Sequence, residues 1–303
     1  MIQSWVLLTF AAAFFQNLRT ALQKRVADNI DVVGATYARY LFGFPLSILY
    51  AIVIWSLWDQ PALTFNWAFL LGCLVGGAAQ ILATVLLVAS FKLRNFAVAT
   101  TYSKTEVIQT ALFSLILLGE GVSPLALIGI VISLMGVIAM SMHGQSVSLR
   151  LLLTGWTQRA ALYGILAGGL FGIAGVAFRG ASLDIGGDAS PAVRAAMVLA
   201  VTNLAQTLMM TGWYALRDRG GPMRVIRAWR TTVPVGVTGM LGSVFWFTAF
   251  AYMAVPYVRA VGQVELILSL LTSRLFFKER ISGVEVLGMA LTVAGIVVVL
   301  LAA

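Results

Sequence analysis

Cysteine and histidine are nearly missing from this sequence, each occurring once. With Cys73 alone in an apolar run, an intramolecular disulfide and a cysteine-ligated metal cluster are excluded. With His143 alone in a connecting segment, histidine-ligated zinc or haem and histidine-dependent catalytic triads lack their parts, so no cofactor is expected. Charge is the third shortage: charged residues make up 10% of the chain, against roughly 25% in soluble domains. Acidic residues number eleven, and no polar stretch is long enough to fold as a domain in water.

What fills the chain is apolar. The apolar fraction is 60% and the mean hydropathy +0.96, which makes this a membrane protein of short loops and long spans. A spanning helix takes about 20 mostly apolar residues. Scanning at that length gives ten spans, at 4–23, 33–57, 66–91, 95–118, 122–141, 160–182, 191–216, 232–253, 256–277 and 282–302. Helices are expected because backbone groups in lipid must bond within their own segment, and no period-two alternation points to a barrel. The first run lacks a basic flank and an A-x-A-like cleavage site, so it reads as an uncleaved span.

An offset of 159 residues superposes spans four and five on spans nine and ten. Glu106 then falls on Glu265 and Glu120 on Glu279, and Ser114, Ser123, Gly129 and Gly136 fall on Ser273, Ser282, Gly288 and Gly295. In the earlier spans Arg39 corresponds to Arg194 once a small gap is allowed. Five crossings are an odd number, so the second copy enters the membrane from the opposite side. The fold class is therefore an all-α membrane protein, ten transmembrane helices forming two inverted five-helix repeats, 1–142 and 159–303, joined by a loop at 143–158. Such repeats are frequent in secondary transporters, where the substrate site lies near the midplane between the halves.

Net charge +9 on a soluble protein would suggest nucleic acid as a partner. Here thirteen of the twenty basic residues, Lys24, Arg25, Lys92, Arg94, Arg150, Arg159, Arg217, Arg219, Arg224, Arg227, Arg230, Lys278 and Arg280, sit in the odd-numbered connections. Asp59, Glu120, Asp184 and Asp188 mark the other face. That spread removes the nucleic-acid reading, makes the odd connections cytoplasmic and places both termini outside. The stretch 217–230, "RDRGGPMRVIRAWR", reads as an amphipathic piece on the anionic inner leaflet.

Charges at bilayer depth cost at least ~2.5 to 3.5 kcal/mol each and commonly line a bundle interior or a water path. In span four, Tyr102, Glu106 and Gln109 share one helical face, while Lys104 lies about 200° from Glu106 and needs a partner from elsewhere. In span nine, Gly262, Glu265 and Ser269 share a face with Gln263 beside it. Span one is polar along Gln16, Arg19, Thr20 and Gln23, with Asn17 adjacent, as a cavity wall would be. Arg39 and Arg194 are candidates for carboxylates, from the protein or the substrate. Trp246, within Phe245-Trp246-Phe247, offers a stacking surface. Arg259 and Arg274 lie near span ends and read as interfacial anchors. Gly164, Gly168 and Gly172, and Gly72 with Gly76, follow the spacing that lets helix backbones approach.

A mid-span acidic residue, Gly119-Glu120 fourteen positions on, and then Gly129 and Gly136 form a pattern that resembles the EamA-type drug/metabolite transporters. The second copy has Lys278-Glu279 where Gly-Glu is usual. Relatives often carry a proline after the acidic position, where this chain has Val107 and Leu266, and commonly have cytoplasmic termini. The resemblance implies a multi-pass protein of the bacterial inner membrane that moves small metabolites by alternating access, often exporting amino acids or related amphipathic compounds. Proton coupling and simple facilitated exchange both stay open, as do monomer and homodimer. The competing reading is a membrane enzyme or lipid-handling protein acting on headgroups at the basic face; it lacks a paired-aspartate metal motif, a histidine base and a nucleophile elbow.

Overall fold

The structure, a computed structural model, describes residues 4–57, 62–90, 93, 96–142, 158–277 and 282–303. Asp59, Lys92, Arg94, His143, Arg150, Lys278, Glu279 and Arg280, and most of the connecting loop, lie outside the described residues.

Thirteen helices follow one another among the described residues. They are α1 (Ser4–Asn29), α2 (Val32–Leu57), α3 (Trp67–Ser90), α4 (Phe96–Ser103), α5 (Glu106–Leu118), α6 (Pro124–Met142) and α7 (Arg159–Leu183), then α8 (Pro191–Arg217), α9 (Gly221–Arg227), α10 (Trp229–Tyr252), α11 (Val255–Gly262), α12 (Val264–Phe277) and α13 (Gly283–Ala302). Six of them, α2, α3, α7, α8, α10 and α13, are long and apolar enough to cross a membrane. The other four expected spans are α1, which carries Arg19, Lys24 and Arg25; α6, which is apolar but shorter; and two segments that are each interrupted, α4–α5 and α11–α12. Large apolar side chains such as Leu7, Phe14, Leu115, Ile116, Leu166 and Leu208 are exposed, as a lipid-facing surface requires.

The helix ends follow local sequence. The matched serines cap matched helices: the Ser123 hydroxyl accepts from Ala126 N at the start of α6, and Ser282 with Glu285 forms a capping box on α13. Gly119, at φ +69°, ends α5 in the left-handed conformation that a side chain would strain. At the end of α8, Arg224 on α9 pairs with Asp218 and holds that carboxyl below its ordinary range, while Asp218 raises the Arg224 guanidinium.

Packing partners recur when the halves are exchanged. α1 packs on α10 and α3 on α7; α2 packs on α8 and α6 on α13; α4 and α5 lie on α7 as α11 and α12 lie on α1. The α6–α13 seam shows the inversion directly. A Cβ on Gly129 would lie 2.8 Å from the Gly295 carbonyl oxygen, and one on Gly136 would lie 2.5 Å from that of Gly288. Rising numbers on one helix meet falling numbers on the other, so these equivalent helices run antiparallel. Each glycine faces the counterpart of the other's repeat position, a self-complementary contact.

At each of these seam glycines backbone atoms are among the nearest obstructions, and those cannot turn aside. Gly136→Ala is expected to destabilise by about 1–3 kcal/mol, as overpacking does. Gly212→Ala, where an added Cβ meets nothing within 4 Å, is expected to stabilise by about 0.5–1 kcal/mol. Thermal melting in detergent separates the two signs.

Candidate functional site

Both interrupted spans break at the same repeat position. α4 gives way to α5 at Lys104-Thr105, and α11 to α12 at Gln263. In the first break Lys104 N and Thr105 N bond back three residues, to Thr101 O and Tyr102 O, and the hydroxyls of Ser103 and Thr105 bond Thr100 O and Tyr102 O. In the second, Gln263 N bonds Ala260 O and Leu266 N bonds Gln263 O. The breaks thus form without the proline of relatives, because tight turns and hydroxyls satisfy the backbone that the helix releases. Each helix beyond a break carries its glutamate in the first turn, Glu106 as the first residue of α5 and Glu265 as the second of α12, at the end where the helix dipole favours an anion.

The breaks meet in the centre of the bundle. Arg259 Nε lies 2.8 Å from Glu106 Oε1, and Lys104 Nζ lies 3.4 Å from Glu265 Oε2. Each pair joins one half to the other. Gln16 Nε2 donates to Glu265 Oε2 at 2.8 Å, and Trp246 Nε1 donates to Gln16 Oε1 at 2.9 Å. The Arg259 guanidinium lies 4.7 Å from the Trp246 ring centroid and 5.2 Å from that of Phe250. The polar circuit therefore runs Glu106–Arg259–Trp246–Gln16–Glu265–Lys104. Gly262 leaves room for it, since a Cβ there would lie 2.5 Å from the Trp246 ring. The Glu106–Arg259 contact is close but poorly aligned, and both facing atoms are buried without an aligned hydrogen bond.

Two adjoining cavities open on this circuit. A small one, about 30 Å³, is bordered by Gln16, Lys104, Glu106, Trp246, Arg259, Gln263 and Glu265. The larger, about 80 Å³, shares Gln16, Lys104, Glu106, Arg259 and Glu265 and adds Arg19, Thr20, Leu87, Thr100, Ser103 and Phe171. A water needs about 10–15 Å³, so the space has room for several waters. Leu87 and Thr100 lie near the α3–α4 connection, so the larger cavity extends from the breaks toward the odd-connection face.

The opposite end is fastened. Arg179 of α7 donates from Nε and Nη2 to Glu120 Oε1, at 3.1 and 2.8 Å, and from Nη1 to the carbonyls of Phe250 and Ala251 at the end of α10, each at 2.9 Å. Thr64 and Gly186 bridge two loops there, and Asn66 donates to Asp184 O.

The sequence-predicted residues divide accordingly. Gln16, Lys104, Glu106, Trp246, Gln263 and Glu265 border the cavities. The Gln263 carbonyl oxygen accepts from Ser133, and its amide nitrogen is buried without a partner. Tyr102 and Gln109 border neither cavity: Tyr102 lies beside Gly164, and Gln109 bonds Thr105 and Ile165 O against Gly168 and Gly169. The shared face of Tyr102, Glu106 and Gln109 assumed an unbroken helix; the break turns Gln109 onto α7 and brings Lys104 inward. Asn17 borders neither cavity. Arg39 is buried, bonding Thr84 and Ser243, and Arg194 bonds the carbonyls of Gly187 and Ala189 in the loop, away from the centre. Phe245 and Phe247 stack on Phe15 and Phe178. Arg259, expected as an interfacial anchor, is the central counter-charge instead, and Arg179 carried no sequence signal. Among the described residues no group of three His, Cys, Asp or Glu is placed to hold a metal.

The EamA-like transporter family model matches residues 3–142 and again residues 158–301. A solved structure titled "Crystal structure of protein" superposes with a TM-score of 0.72, over 99% of this chain and 97% of its own, at 18% identity, which speaks for the fold alone. None of the curated proteins compared with the sequence matches it.

Removing one partner of a buried pair leaves the other charge unpaired, at a cost of about 3–5 kcal/mol. Arg259→Met is expected to lower the melting temperature on that scale, and Glu106→Gln added to it to recover most of the loss. Additive losses in the double variant would show that the two groups do not act as a pair.

Proposed function

The chain belongs to the EamA-like transporter family, and we propose that it is a secondary transporter of a small metabolite whose path passes between Glu106 and Glu265. The observation that carries this is the polar circuit at the two helix breaks, two adjoining cavities bordered by ionisable groups from both halves inside an apolar bundle. Discontinuous helices meeting near the midplane are where secondary transporters hold substrate and coupling ions. The proposal includes alternating access, export of amino acids or related amphipathic compounds, and location in a bacterial inner membrane. Glu106 and Glu265 are the candidates to carry protons, since each would shed its cation from the opposite half on protonation.

In proteoliposomes supplied with a mixture of labelled amino acids, flux is expected to respond to an imposed pH gradient. Glu106→Gln and Glu265→Gln are expected to lower it about tenfold or more, the factor that ~1.4 kcal/mol of lost interaction gives. Full, pH-insensitive flux in both variants would remove the role assigned to the carboxylates.

The basic odd connections argue for a cytoplasmic position of that face, toward which the larger cavity extends. In a Cys73→Ser background, Gly220→Cys is expected to react with a membrane-impermeant maleimide only when the inner face is exposed. Labelling of intact cells would reverse the orientation.

A further inference from the structure

The centre of the bundle holds more positive than negative charge. Lys104 and Arg259 are matched by Glu265 and Glu106, but Arg19 and Arg39 have no carboxylate within 4.0 Å among the described residues. Both are more than nine-tenths buried, at 5% and 4% exposure. They converge on one spot of α10: a Cβ on Gly239 would lie 2.9 Å from Arg39 Cγ and 3.4 Å from Arg19 Cδ. Arg39 spends its donors on neutral acceptors, the hydroxyls of Thr84 at 3.5 Å and Ser243 at 3.2 Å, with its guanidinium 5.1 Å from the Tyr40 ring centroid. Arg19 spends less. Among the described residues its one hydrogen bond is to the Thr20 hydroxyl, at 3.4 Å from Nη2, and its Nε is buried with no partner.

Arg19 borders the larger cavity, whose wall on that side also carries Thr20, Thr100, Ser103 and Lys104. A guanidinium presents a planar fork that matches carboxylate and phosphate oxygens. A buried guanidinium without an anion is costly, and the cost falls when an anion arrives. We infer that Arg19, backed by the charge of Arg39, forms a subsite for the oxyanion, carboxylate or phosphate, of a small amphipathic substrate. Arg19 lies on the odd-connection side of the breaks, so the substrate's remaining part extends toward Glu106, Glu265 and Trp246. This assignment rests on the transport reading for its purpose but not for its chemistry.

The test uses the purified full-length chain in detergent, with no membrane and no gradient. Melting is followed in sodium acetate and in sodium methyl phosphate, against sodium chloride at equal ionic strength and against neutral acetamide. A saturable rise of about 2 °C or more is expected with acetate or methyl phosphate, and none with acetamide; which of the two anions acts identifies the oxyanion. Arg19→Gln should abolish the rise, and without ligand it should melt at or above the wild type, because an unmatched charge has been removed. Arg194→Gln, outside the cavity, should keep the rise. The proposal is overturned by a rise no larger than in chloride or by an equal rise in Arg19→Gln; if Arg19→Gln melts well below the wild type, Arg19→Lys is measured in its place. Should Arg19→Gln not fold, Arg19→Lys decides: a weakened rise supports the subsite and an unchanged one removes it. An anion-dependent rise in a protein that shows no flux would keep the subsite and discard transport. Flux indifferent to Arg19→Gln, with no anion effect, would do the reverse.

Discussion

Each central carboxylate is neutralised by a cation from the other half of the chain, Glu106 by Arg259 and Glu265 by Lys104. A lone ion in an apolar bundle is too costly to keep, so neither half can bury its glutamate by itself. The helix breaks, the tilt of Trp246 over Gly262 and the hydrogen bonds of Gln16 all serve to bring four charges from two halves within reach. The same arrangement ties the two ion pairs together. Any displacement that parts the halves at the centre breaks both pairs at once, and each of the four groups then needs water, substrate or a proton in place of its partner.

The repeat made much of this fold legible. The offset that superposes Glu106 on Glu265 also superposes the serines that cap α6 and α13 and the glycines that face each other across their seam. Caps and small-residue contacts are local or symmetric features, and one sequence shows them twice. The angular argument on span four failed because it assumed a continuous helix with 3.6 residues per turn. The break was hidden because neither copy has a proline to mark it, and Ser103, Thr105 and Gly262 do by hydrogen bonding and small size what a proline would do by exclusion.

Pairing between halves was the part the sequence could not show. Arg259 has Thr100 at its equivalent position and Lys104 has Gln263, so the central charges are not copied between repeats. The scaffold is symmetric and its charges are not. Once the halves differ in charge, hydropathy and spacing can say that a buried glutamate needs a cation, but not which helix provides it. Arg194, matched to Arg39 by the repeat, shows the reverse: equal positions lead to different surroundings, one in the first turn of α8 bonded to loop carbonyls and one in the core.

The Arg179 contact carries a consequence of its own. A helix ends with carbonyls that have no partner within it, and for α10 Arg179 supplies one to Phe250 and Ala251 while also holding Glu120. Parting this end would orphan three acceptors at a stroke, in surroundings where only solvent has donors to spare. Hydration would therefore be a reactant in such a parting, with a rate tied to the activity of water at that end of the protein, so that osmotic stress would oppose it in the way a scarce co-substrate would.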